Sequence, residues 1–104
     1  MKPFRDLLEE ITAIVDTYHG GEYRGLNEMH RNLACAMYYL TKYQVLFNQS
    51  WNQEYHNYSE GEKTSSAAKE RHADKTVPQL YMCRKILEAA KNISISISYE
   101  IKSD

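Results

Sequence analysis

The chain has 104 residues, of which 42% are apolar and 26% are charged, and its formal net charge is −1. This composition excludes a disordered chain, and the length fits one folded domain spanning residues 1–104. A net charge this close to zero excludes a strong overall attraction to nucleic acid or to acidic lipid.

The first predicted element is a helix over residues 3–19. Pro3 suits the first turn of a helix, and the pair Gly20-Gly21 ends it. The apolar residues between these limits recur every three or four positions, which is the period of an amphipathic helix. They are Phe4, Leu7, Leu8, Ile11, Ile14, Val15 and Tyr18.

Two longer helices are predicted after this one. The second runs from Asn27, a residue type that often caps helices, to about residue 58. The polar stretch SEGEKTSS, residues 59–66, has no apolar residue to bury and predicts a turn. The third helix covers residues 66–102, with Ser65 or Ser66 as its cap, and Pro78 is expected to kink or restart it. The two long helices then form an antiparallel hairpin.

The stretch NISISISYEIK, residues 92–102, fits two structures. Isoleucine and serine alternate as in a strand, but Ile93, Ile97 and Ile101 are also four residues apart, as in a helix. The helical stripe that starts at Ala73 continues through this run in phase, and no second segment offers a partner strand. We therefore predict an all-α fold, with a strand over residues 93–101 as the alternative.

Under both alternatives this run is the predicted self-association surface. As a helix it points Ile97 and Ile101 inward and leaves Ile93 and Ile95 on its flanks. Its apolar surface is then wider than one neighbouring helix can cover. A chain of this length also buries only a modest share of its surface on its own. We therefore expect a homo-oligomer that uses these four isoleucines.

Motifs for catalysis and metal binding are absent from the sequence. Three Glu-x-His pairs end at His30, His56 and His72, but residues two apart on a helix point to nearly opposite sides. There is no Cys-x-x-Cys, no glycine-rich phosphate loop and no nucleophile elbow. The sequence therefore predicts a binding protein without cofactor or metal and not an enzyme. An active site in which these histidines converge with carboxylates across helices is the remaining alternative.

The two cysteines indicate a compartment. Cys35 and Cys83 lie inside apolar runs, and no secretory segment is found before them. We expect both to be reduced and buried, in a cytoplasmic protein. The apolar runs are too short to span a membrane.

Nine tyrosines are the unusual feature of the composition, and many lie beside cations. Aromatic rings together with Lys or Arg bind single-stranded nucleic acid by stacking and by phosphate contact. Rings with a polar tip are also common in protein cores and interfaces, so a partner protein and a self-interface remain alternatives. The candidate residues for binding nucleic acid or a partner are Tyr39, Lys42, Tyr43, Trp51, Tyr55, Lys69, Arg71, Lys75, Arg84 and Lys85.

The layout of residues 27–102 resembles one known family. An aromatic-rich helix, LACAMYYLTKYQVLFNQSWNQEYHNY, is followed by a short charged turn and by TSSAAKERHADKTVPQLYMCRKILEAAKNISISISYEIK. This order is similar to the helical hairpin of the small phage recombination mediators of the UvsY type. The resemblance implies an all-helical protein that assembles into rings, binds single-stranded DNA and helps to load a RecA-like recombinase.

Two functions from different classes follow. The first is a non-catalytic, oligomeric helper in DNA recombination or repair, located in the cytoplasm of a bacterial host cell if the chain is phage-encoded. The alternative is a small phage or mobile-element module that inhibits or sequesters a host defence factor or a small ligand, because the chain is small, rich in tyrosine and lacks catalytic motifs. A continuous basic surface would favour the first function, and an uncharged aromatic patch would favour the second.

Overall fold

The computed structural model describes residues 2–21 and 25–103, and the regular elements within these ranges are four α-helices. They are α1 (Phe4–His19), α2 (Leu26–Asn57), α3 (Ser66–Thr76) and α4 (Pro78–Ser103). The predicted all-α class is confirmed. The alternative of a strand over residues 93–101 is wrong, because this run is part of α4.

The start of the second helix differs from the prediction. α1 ends at Gly20 and Gly21 as predicted, but the N-cap of α2 is Gly25 and not Asn27. Gly25 has φ +75°, a left-handed conformation that glycine adopts without the strain of a side chain. Residues 22–24, which complete the loop between these two helices, lie outside the described residues.

The predicted third helix consists of two helices that are separated by Val77. The hydroxyl of Ser65 accepts a hydrogen bond from the Ala68 N–H at 3.1 Å, which is the side-chain cap expected at this position. Pro78 has no N–H, and its ring disfavours the helical conformation in the residue before it. Val77 accordingly has φ −126° and ψ 66°, and its N–H closes the last turn of α3 on the Ala73 carbonyl at 2.8 Å.

The chain folds back at the turn after α2, so that α2 lies antiparallel to α3 and to α4. Two residues that contact each other across the hairpin lie at nearly the same number of positions before and after this turn. Close to it, Glu54 contacts His72 at 2.8 Å, and far from it His30 contacts Ser94 at 3.2 Å. Because α2 has 32 residues, this hairpin is about 48 Å long.

α1 packs against the part of the hairpin that is farther from the turn, and this part begins at Phe47. At the start of α1, the ring centroid of Phe4 lies 4.9 Å from that of Phe47 in α2. Near its end, the Tyr18 hydroxyl donates to Glu100 Oε1 of α4 at 2.9 Å. α1 is therefore antiparallel to α2 and parallel to α4, and the three helices form a bundle.

The apolar core lies within this bundle. The remaining part of the hairpin, which we call the arm (residues 48–76), buries only Ala68 and Ala73. Arm and bundle together extend 62 × 25 × 20 Å. The core residues are Leu7, Ile11, Leu33, Ala36, Leu40, Cys83, Ala90, Ile93 and Ile97.

Two predictions of burial are wrong. Cys83 is buried, and this burial raises the pKa of its thiol to about 11, but Cys35 is exposed on the face of α2 that points away from the bundle. Ile93 was predicted on a flank of its helix and is only 5% exposed. It shares a stripe of α4 with Glu100, which contacts α1 through Tyr18, so the packing of α1 covers this flank.

Candidate functional site

A row of aromatic rings follows one face of the arm. Trp51 and Tyr55 are four residues apart, which places them on the same face of α2. Their rings are stacked, with centroids 5.3 Å apart and planes at 15°. Lys69 of α3 extends over this stack, with its Nζ 5.6 Å from the centroid of Tyr55. The helix spacing therefore explains the stack, and the return of the chain through α3 supplies the cation.

Polar contacts join the two helices of the arm. The Trp51 Nε1–H donates to Asp74 Oδ1 at 2.8 Å, and His72 Nε2 lies 2.8 Å from Glu54 Oε2. A hydrogen bond to a charged group stabilises a fold by about 1.5–3 kcal/mol, and by less where solvent reaches it. These two contacts thus replace part of the apolar core that the arm lacks.

Tyr58 continues the row at the end of α2. Its ring is stacked on that of His72, with centroids 4.2 Å apart and planes at 6°. Its hydroxyl donates to Glu60, and this hydrogen bond is the main cause that raises the pKa of Tyr58. The phenol is therefore neutral at physiological pH, and its ring is held against α3.

The helix that packs against this row, α3, has three cations. Lys69 is half-buried, whereas Arg71 and Lys75 are exposed. In the described part of the arm the one ion pair is that of His72, so none of these three cations lies within ion-pair distance of a carboxylate. The exposed Glu70 stands between them in the chain, so the basic surface is interrupted and not continuous.

The predicted binding residues on the middle of α2 lie outside the arm. Tyr43 belongs to the bundle, because its ring lies 5.6 Å from that of Phe4 and its hydroxyl donates to the Lys2 carbonyl at 2.8 Å. Lys42 is exposed, with its Nζ 4.6 Å from the centroid of the Tyr38 ring and 5.8 Å from that of its half-buried neighbour, Tyr39.

The predicted binding residues of α4 are also separate from the arm rings. Arg84 and Lys85 are exposed on α4, and the Nζ of Lys85 lies 5.5 Å from the centroid of the Tyr81 ring. The structure thus brings together Trp51, Tyr55 and Lys69, and Arg71 and Lys75 are exposed elsewhere on α3. It distributes the remaining predicted residues over the bundle.

An exposed apolar patch lies on the outward face of α2, and Lys42 lies beside its Tyr38 ring. Tyr38, Val45 and Leu46 are 59%, 54% and 51% exposed, although they are large apolar side chains. Exposed apolar side chains that are grouped on one face are typical of surfaces that bind another protein.

The four isoleucines of the predicted self-association surface have different environments. Ile93 and Ile97 are buried in the core of their own chain, and Ile101 is half-buried. Ile95 is 47% exposed, so it is the member of the set that another chain can reach.

Some contacting residues were not among the predicted site residues. Asp74 and His72 in the arm are examples, as is His30, whose Nε2 lies 3.2 Å from Ser94 Oγ and 3.1 Å from Ser98 Oγ. A signal for these contacts was present in the sequence. In an antiparallel hairpin, two residues at nearly the same number of positions before and after the turn lie opposite each other. The turn at residues 59–66 therefore predicts that Asp74 faces Trp51, that His72 faces Glu54 and that His30 faces Ser94.

Several open clefts lie on the surface of the described residues. One of about 450 Å³ lies where α3 meets α4 and is lined in part by Pro78, Tyr81 and Arg84. No group of three His, Cys, Asp or Glu side chains in residues 2–21 and 25–103 is placed to hold a metal ion. Nor does any helix of these ranges combine the length and the apolar character needed to cross a membrane. No protein-family model, no curated protein and no solved structure matches the chain.

Proposed function

We propose that this chain is a non-catalytic, oligomeric protein that binds single-stranded DNA through the arm and assists recombination or repair. The observation that carries the proposal is the stacked pair of Trp51 and Tyr55, with Lys69 over it and two further cations on the same helix. Stacking of a base on an aromatic side chain contributes about 1–3 kcal/mol and depends little on which base it is. The cations would contact the phosphates between the stacked bases.

The resemblance to UvsY-type mediators supports the biological setting of this proposal. A RecA-like recombinase would be the protein partner, and a bacterial cytoplasm would be the location. The cations of the arm are balanced by its carboxylates, so we expect a modest affinity, on the order of micromolar at low salt.

The exposed surface supports the oligomeric part of the proposal. A compact monomer of 12.2 kDa is expected to expose about 6,100 Å², whereas this chain exposes 7301 Å². The excess of about 1,200 Å² is similar to the total area that a specific protein interface buries.

Fluorescence anisotropy with a labelled single-stranded oligonucleotide tests DNA binding directly. Arg71→Ala removes an exposed cation from the arm, and Arg31→Ala is the matched control, because Arg31 is exposed on α2 at the opposite end of the hairpin. Each phosphate contact that is lost reduces the slope of log K against log salt by about 0.7. We expect this reduction for Arg71→Ala and an unchanged slope for Arg31→Ala. Absence of salt-sensitive binding at tens of micromolar protein would refute the proposal.

A second pair of variants tests the stacking contribution. Tyr55→Phe keeps the ring that stacks on Trp51, and Tyr55→Leu removes it. We expect Tyr55→Leu to weaken binding by about tenfold or more and Tyr55→Phe to bind as the parent chain does. Circular dichroism shows whether both variants keep the helical content. Equal losses in the two variants would exclude base stacking on this ring.

The exposed apolar patch favours a second candidate function, a module that inhibits or sequesters a host defence factor. Val45 and Leu46 are exposed on the face of α2 away from the core, so Val45→Glu with Leu46→Glu should abolish capture of a host protein without unfolding the chain. The measurement is a pull-down from host lysate with both forms, together with DNA anisotropy. A parent chain that captures nothing specific speaks against this candidate.

A further inference from the structure

Two outward faces of the bundle carry opposite charge. The outward face of α1 has the exposed carboxylates Asp6, Glu9 and Asp16, and the cation on this face is Arg5, which lies 3.5 Å from Glu9. The outward face of α4 has the exposed cations Arg84, Lys85, Lys91 and Lys102, and its exposed carboxylate is Glu88. The first face is therefore net acidic, and the second is net basic.

The charges on the two faces have the same spacing. Glu9 and Asp16 are seven residues apart, as are Arg84 and Lys91. Seven residues make two helical turns, so each pair lies on one side of its helix about 10.5 Å apart. Two helices that pack side by side can thus bring both carboxylates opposite both cations at once.

The residues around these charges also fit each other. Between its two carboxylates α1 has Thr12 and Ala13, which are small, exposed and uncharged. The opposing stretch of α4 contains Glu88, which would meet no carboxylate there. Two large exposed side chains of α4, Tyr81 and Ile95, flank the cations at either end.

Among the described residues, the cations of this face form no ion pair with a carboxylate. In the described ranges, neither Arg84 nor Lys91 lies within ion-pair distance of a carboxylate. α1 and α4 pack against each other through their inner sides, as the contact of Tyr18 with Glu100 shows, so their outward faces cannot meet within one molecule. A second molecule can supply the missing face.

We infer that a second copy of this chain docks the outward face of its α1 on the outward face of α4, with Glu9 and Asp16 opposite Arg84 and Lys91. The two faces are different surfaces of the same chain, so the contact is head-to-tail and repeats until a ring closes or a filament grows. Ile95, the exposed member of the four predicted isoleucines, lies at the edge of this contact. The inference specifies the oligomeric part of the proposed function and is independent of DNA binding by the arm.

Complementary charge reversal tests this pairing. One variant combines Glu9→Lys with Asp16→Lys, and the other combines Arg84→Glu with Lys91→Glu. Each variant places like charges opposite each other, and we expect its apparent dissociation constant for self-association to rise about tenfold or more. A mixture of the two variants restores opposite charges at every contact and should assemble as the parent chain does.

The readout is light scattering coupled to size-exclusion chromatography without DNA, at low and at high salt. The control combines Arg31→Glu with Lys63→Glu, which reverses two exposed charges away from both faces and should leave assembly unchanged. A parent chain that is monomeric at high concentration overturns the inference, as does a mixture that fails to assemble while both variants remain folded. Anisotropy with the same variants separates this outcome from a failure of DNA binding.

Discussion

The Ile-Ser run contains a direct test of its helical structure, because Ile95 and Ile97 are two residues apart and identical in chemistry. In α4 they point in different directions, so Ile97 is fully buried and Ile95 is 47% exposed. In a strand, residues two apart point to the same side and would be buried to a similar extent. Replacing each by alanine should therefore have unequal effects on the free energy of unfolding.

The size of the difference follows from burial. Ile97→Ala removes a fully buried side chain from the core, which costs about 2–5 kcal/mol, and better helix propensity returns at most about 0.7 kcal/mol. Ile95→Ala loses about 1 kcal/mol of partial burial and regains up to about 0.7 kcal/mol through propensity. We expect a loss of about 3 kcal/mol for Ile97→Ala and a change within about 0.5 kcal/mol for Ile95→Ala.

Urea denaturation followed by circular dichroism measures both values. It should be run at two protein concentrations, since a loss at Ile95 that grows with concentration reports self-association and not folding. If Ile97→Ala does not fold, Ile97→Val, which costs about 0.5–1.5 kcal/mol, replaces it in the comparison. Equal losses at positions 95 and 97 in a dilute monomer would refute the helical assignment of this run.

Two further predictions concern the thiols and the arm. Cys35 is exposed, whereas burial raises the pKa of Cys83 to about 11. A thiol reagent at pH 8 should therefore modify only Cys35 in the folded chain and both cysteines in urea. Rapid reaction of both thiols in the folded chain would contradict the buried position of Cys83. Trp51→Phe keeps an aromatic ring at this position but removes the indole N–H that donates to Asp74, a loss of about 1.5 kcal/mol. Hydrogen exchange of the α3 amides should therefore become about tenfold faster, while that of the bundle is unchanged. Unchanged exchange in α3 would show that this hydrogen bond does not hold the arm.

Much of the fold could be predicted from local pattern. The apolar stripe of residues 3–19, the glycines after it and the polar turn at 59–66 each correspond to an observed feature. The environment of Ile93 could not be predicted in this way, because it depends on which side of the hairpin α1 covers. That side is decided by long-range packing, including the contact between Tyr18 and Glu100, and no local periodicity contains it.

The candidate site was predictable in part. Trp51 and Tyr55 were selected for ring chemistry, and their stacking follows from a spacing of four residues. Tyr43 has the same chemistry but packs on Phe4, so composition alone does not separate a surface ring from a core ring. Lys69 could be placed over Tyr55 only with the antiparallel pairing of α2 and α3 in hand.

The balance of charge and aromatic surface in the arm determines how it would bind a strand of DNA. Its cations are matched by carboxylates, so counterion release can supply only a small part of the binding free energy. The rings, in contrast, are held in place before binding, because Asp74 fixes the Trp51 indole and His72 packs on Tyr58. Side chains that are already ordered lose less conformational entropy when a ligand stacks on them. Affinity in such a site should therefore depend more on Tyr55 than on Arg71, and its salt dependence should be shallower than that of a basic groove of similar size.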